Sequence, residues 1–80
     1  MAKATVVVDM GAQGHGETYS VEHRMDSLIE AQTLSAALGT DWALEGFRQA
    51  GGVWKRGQEW RQKVIVCGGV EYAEEAGVDE

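Results

Sequence analysis

Apolar positions fall in two rhythms along this chain, and they divide it into strands and helices. Thr5-Val6-Val7-Val8 is β-branched throughout and predicts a strand over 3–10 that can be buried on both faces. Thr18-Tyr19-Ser20-Val21-Glu22 alternates apolar and polar, which predicts a half-buried strand with Tyr19 and Val21 facing inward. The stretch from Val53 to Tyr72 predicts three short strands in a meander: Val53-Trp54-Lys55, Glu59 to Cys67, and Val70-Glu71-Tyr72. Gly57 marks the first turn, and Gly68-Gly69 supplies the two residues tolerant of positive φ that a type I′ hairpin needs.

Between these strands the rhythm changes to spacings of three and four. Ser27-Leu28-Ile29-Glu30 matches a capping box, in which the serine hydroxyl and the glutamate side chain satisfy free amides at a helix start. Ala31, Leu34 and Leu38 then share one face, and Gly39 is the residue expected to stop this helix. Thr40 caps an expected second helix from Asp41 to Ala50, ended by Gly51-Gly52. The expected order is ββααβββ, an α+β fold with an antiparallel sheet of four to five strands and two helices on one face. Residues 1–73 form the expected domain, and 74–80 an acidic flexible tail.

Charge placement changes this picture more than composition does. Eighty residues suffice for one small core. Seven basic residues against thirteen acidic ones leave a net charge of −6. Residues 1–47 carry −5, residues 48–63 carry +4, and residues 64–80 carry −5, so the chain reads acidic, basic, acidic. No run approaches the roughly 18 apolar residues of a membrane span, and the lone Cys67 cannot form an internal disulfide. A cytoplasmic protein is the expectation.

Candidate chemistry is sparse. Gly11-Ala12-Gln13-Gly14-His15-Gly16 follows a strand, but the next segment alternates like a strand and carries no Gly-Lys-Ser/Thr, so a phosphate loop lacks its context. His15 and His23 have no closely spaced partner ligand, and no metal or other cofactor is expected. Cys67, within Val64-Ile65-Val66-Cys67, reads as a small apolar residue, not a nucleophile. No enzyme is expected.

Two binding surfaces remain. Trp54, Lys55, Arg56, Arg61 and Lys63 interleave rings and cations as single-strand nucleic-acid binders do. Strand alternation puts Trp60 with Gln62, Val64 and Val66, and this valine face is expected to be the core. The net charge of −6 opposes a polyanion, which makes direct nucleic-acid binding the second reading. The first reading rests on Asp26, Glu30, Asp41, Glu45, Glu71, Glu74 and Glu75, carboxylates available to a basic protein surface. Helix initiation alone would account for Asp26 with Glu30 and for Asp41 with Glu45, each pair near a proposed first turn. A third reading is a structural or regulatory homodimer that pairs an exposed edge strand.

In size, single α+β domain, acidic balance and lack of a catalytic signature, the chain resembles phage-encoded host-defence inhibitors such as anti-CRISPR proteins. The resemblance lies in gross properties over the whole chain and carries over no site residue. It implies a viral inhibitor that blocks a basic, target-binding subunit of a CRISPR surveillance complex, acting as a monomer or a homodimer.

Overall fold

The computed structural model describes residues 3–72; the acidic segment expected as a tail, with Glu74 and Glu75, lies outside them. Six strands and one helix follow in the order β1 (Ala4–Ala12), β2 (Thr18–Met25), α1 (Leu28–Leu44), β3 (Arg48–Ala50), β4 (Val53–Arg56), β5 (Glu59–Cys67) and β6 (Val70–Tyr72). The class is α+β, but the expected ββααβββ order and its two helices are wrong, and the sheet has six strands where four to five were expected.

The error traces to Gly39. It lies inside α1, buried, where an added Cβ would stand 3.3 Å from Trp54 Cζ2 and 3.6 Å from Lys63 Cε. Its missing side chain makes room for the Trp54 ring instead of ending the helix. Thr40 caps nothing; its hydroxyl donates to the Ala36 carbonyl one turn back. The helix runs on to Gly46, at φ 102°, with the two bonds of a Schellman motif: Gly46 N–H donates to the Ala43 carbonyl at 3.1 Å and Phe47 N–H to Trp42 at 2.9 Å. At the other end Ser27 accepts from the Glu30 amide at 3.2 Å, as expected, while the Glu30 carboxylate reaches one residue further, to the Asp26 amide.

All strand pairings are antiparallel, in the order β2-β1-β5-β4-β3. Arg48–Ala50, expected at the end of a helix, pairs with β4, and Gly51-Gly52 is the tight turn of that hairpin. Strands β4, β5 and β6 do not form a simple meander. β1 occupies one edge of β5 from Glu59 to Cys67, so β4 (at residues 59–61) and β6 (at residues 65–67) share the other edge end to end.

Helix α1 packs on one face of this sheet. Ala4, Val6 and Val8 of β1 lie opposite Cys67, Ile65 and Lys63 of β5, and all six are buried. The buried seam of the helix is Ala31, Ser35, Gly39 and Trp42, with Leu34 and Leu38 half-buried beside it. Small residues are needed there because the long side chains come from the sheet: Trp54 packs edge-on against Trp42 at 5.7 Å between centroids, and Lys63 lies beneath the helix. Tyr19 and Val21 are on this face by register, as expected, but the helix does not reach them; they are 60% and 43% exposed.

Candidate binding surfaces

The basic segment is folded inward. Lys63 is 4% exposed and donates to Ser35 Oγ at 2.9 Å. Arg61 lies over two rings, its guanidinium carbon 4.3 Å from the Phe47 centroid and 5.5 Å from that of Trp42, and it pairs with Glu45 at 3.5 Å. Arg56 stands 4.6 Å from the Phe47 centroid, pairs with Glu59 at 2.6 Å and donates to the Glu45 carbonyl at 2.8 Å, which satisfies a backbone acceptor at the C-terminus of α1. Phe47 holds both arginines because it directly follows the Gly46 helix stop.

The expected core valine face is therefore the wrong one. The helix covers the face of Arg61, Lys63, Ile65 and Cys67, and Trp60, Gln62, Val64 and Val66 lie on the open face. Trp54 is the core tryptophan, 9% exposed, and Trp60 is the half-buried one. Trp60 lies flat enough on β1 that a Cβ on Gly11 would stand 3.0 Å from its Cζ2. Register places Lys55 beside Trp60 and Arg48 beside Lys55 on the open face. Of the five residues expected to hold nucleic acid, only Lys55 stands on this face; Trp54, Arg56, Arg61 and Lys63 are directed to the helix side.

The carboxylates divide into two groups. Asp26, Glu30, Asp41 and Glu45 all belong to α1 or its flanks, and residues 25–47 contain no lysine or arginine. At 1.5 Å per residue, α1 alone spreads this charge over about 25 Å. Exposed Ile29 (65%) and Leu44 (82%) stand near its two ends. Asp26 pairs with Lys3 at 3.3 Å, with both side chains well exposed. Glu71 is on the opposite side of the molecule. It shares with Asp9 a notch of about 240 Å³ between β4 and β6, where residues 62–64 of β5 pair with β1 on one edge and have no strand partner among the described residues on the other. Asp9 lies in the strand expected over 3–10, and nothing in the sequence signals that it would stand beside Glu71.

One expectation about the acidic residues needs revision. Asp41 and Glu45 do not start a second helix but sit at the C-terminal end of α1, where the helix dipole disfavours negative charge. Arg56 and Arg61 compensate Glu45; no base among the described residues pairs with Asp41. The fold gives no reason for an aspartate there.

His15 and His23 are separated by the length of β2, and among the described residues no three His, Cys, Asp or Glu side chains converge as a metal site. Cys67 is buried opposite Ala4. Tyr19 donates to Glu17 at 2.7 Å, and this carboxylate, with a smaller contribution from burial, raises the phenol pKa above its ordinary 10.0. No helix among the described residues is long and apolar enough to cross a membrane.

No protein-family model, curated protein or solved structure matches this chain.

Proposed function

We propose that this chain is a small acidic binding protein, without catalysis, that inhibits a nucleic-acid-binding partner by laying the outer face of α1 on its basic surface. The observation that carries this reading is Asp41, an exposed aspartate at the unfavourable end of the helix with no ion-pair partner among the described residues, near exposed Leu44 on a helix devoid of bases. A carboxylate that costs the fold a few tenths of a kcal/mol and has no ion pair among the described residues is explained by a contact outside. The inward turn of Arg56, Arg61 and Lys63 supports the same reading, because it takes cations away from the surface that meets the partner. The setting is cytoplasmic, and the resemblance to anti-CRISPR inhibitors makes a surveillance-complex subunit the first partner to try.

The test is displacement. Bacterial proteins bound to DNA-cellulose, and separately a purified surveillance complex on its target DNA, are challenged with the wild type and with Asp41→Lys. The wild type should release bound protein in a salt-sensitive way. Asp41→Lys should fold at least as stably, because a cation suits that end of the helix, and release several-fold less. Equal release by both proteins rejects the α1 face, and no release by the wild type rejects the function.

A second reading has one specific observation in its favour. Trp60, half-buried on the open face in register with Lys55 and Arg48, forms a stacking platform beside two cations. It is a different set from the one that the sequence suggested, sharing only Lys55 with it.

A further inference from the structure

Strand β2 is the outermost strand on its side of the sheet. Its eight residues pair with β1 in unbroken register from Ala4 opposite Met25 to Gly11 opposite Thr18, without a bulge. It carries no proline, lysine or bulge, and the charges that it does carry, Glu22 and Arg24, are of opposite sign. The strands at the opposite side, β3 and β6, have three residues each and offer little to pair with.

From this we propose that β2 pairs antiparallel with β2 of a second copy, joining two sheets into one across a two-fold axis. Such an axis stands normal to the sheet, leaves both helices on the same side, and brings together residues whose numbers have an even, constant sum. Charge selects the register. A sum of 44 sets Glu22 against its own copy, which is repulsive. A sum of 46, centred on His23, sets Glu22 opposite Arg24 of the second copy and Arg24 opposite its Glu22, two attractive pairs from one strand. The same register puts Val21 opposite Met25 twice on the helix side, covering part of the exposed Val21. Glu22 and Arg24 are both exposed, and no ion pair among the described residues engages either. The second copy is thus the occupant whose charges the edge already matches.

Cysteine cross-linking reads the register directly, in a Cys67→Ala background that removes the native thiol. Directly opposed strand residues have Cα atoms about 4.5–5.5 Å apart, within disulfide reach. His23→Cys should give a covalent dimer under mild oxidation, Val21→Cys alone should not, and Val21→Cys mixed with Met25→Cys should. Sedimentation of the unlinked protein should show a dimer that Glu22→Arg or Arg24→Glu each weakens, by roughly thirtyfold if two attractive pairs become two repulsive ones. The double variant Glu22→Arg/Arg24→Glu should recover it. Circular dichroism checks that each variant is folded, which is expected because both positions are exposed. A wild type that stays monomeric at high concentration, self-linking at position 21 in place of 23, or a folded double variant that does not recover the dimer would overturn the proposal.

Discussion

Replacing Phe47 by leucine tests the inward-turned basic segment at its anchor. Phe47 is 2% exposed and carries two guanidinium groups within 4.6 Å of its ring centroid. A cation over a ring is worth about 0.5–1 kcal/mol when exposed and about 2 when desolvated. The Arg61 side chain is 23% exposed and that of Arg56 is 44%, so about 1 and about 0.5 kcal/mol are appropriate for the two. Fitting leucine into a space shaped for a flat ring adds about 1 kcal/mol. The expected loss is about 2.5 kcal/mol, out of roughly 4–12 for a domain of this length, or a fall in Tm of about 10–20 °C. Urea unfolding followed by tryptophan fluorescence is a suitable assay, since Trp42 and Trp54 are both buried. A double-mutant cycle with Arg61→Met, which keeps most of the aliphatic stem, isolates the Phe47–Arg61 term and should return about 0.5–1 kcal/mol of coupling. A Phe47→Leu loss under about 1 kcal/mol together with no coupling would refute the stacking argument.

Three further outcomes are expected. Gly46→Ala should lose about 1–2 kcal/mol because Gly46 sits at φ 102°, whereas Gly39→Ala should stay within about 1 kcal/mol of wild type. In the latter, better helix propensity offsets a Cβ set 3.3 Å from the Trp54 ring, and a ranking in the opposite order would put the helix stop back at Gly39. Glu17→Gln should bring the Tyr19 titration, followed by NMR, down toward 10.0, since the neutral phenol no longer donates to a carboxylate that favours its proton; an unchanged midpoint would remove Glu17 as the cause. Ser27→Ala should lose about 1 kcal/mol in urea unfolding through the open Glu30 amide, and a loss below about 0.3 would mean that water replaces the cap freely.

The β4–β5 and β5–β6 hairpins were legible in the sequence because each carries its own local signal: Gly57 and Gly68-Gly69 announce their turns without help from the rest of the fold, whereas Gly51-Gly52 was read as a helix stop. The start of α1 was legible for the same reason, through Ser27 and Glu30. Gly39 misled because a glycine directly after the apolar Leu38 looks the same whether it ends a helix or admits a ring; only the position of Trp54, fifteen residues on, distinguishes the two. Strand β5 misled because apolar residues occupy both of its faces at 64–67, so alternation could not say which one the helix covers. The structure chose the face with two cations, which a core tolerates here because Ser35, Glu45 and the rings of Phe47 and Trp54 receive them. The four carboxylates around α1 were legible as residues but not as one surface, since the expected break at Gly39 divided them between two helices.

The account turns on whether the wet surface of this protein repels or holds nucleic acid. Fluorescence anisotropy of labelled single- and double-stranded oligonucleotides, titrated with the protein at low salt where phosphate contacts are strongest, measures this directly. No binding is expected to either. Saturable binding that quenches Trp60, weakens steeply with added salt and disappears in Lys55→Ala would contradict the account and transfer the function to the open face of the sheet.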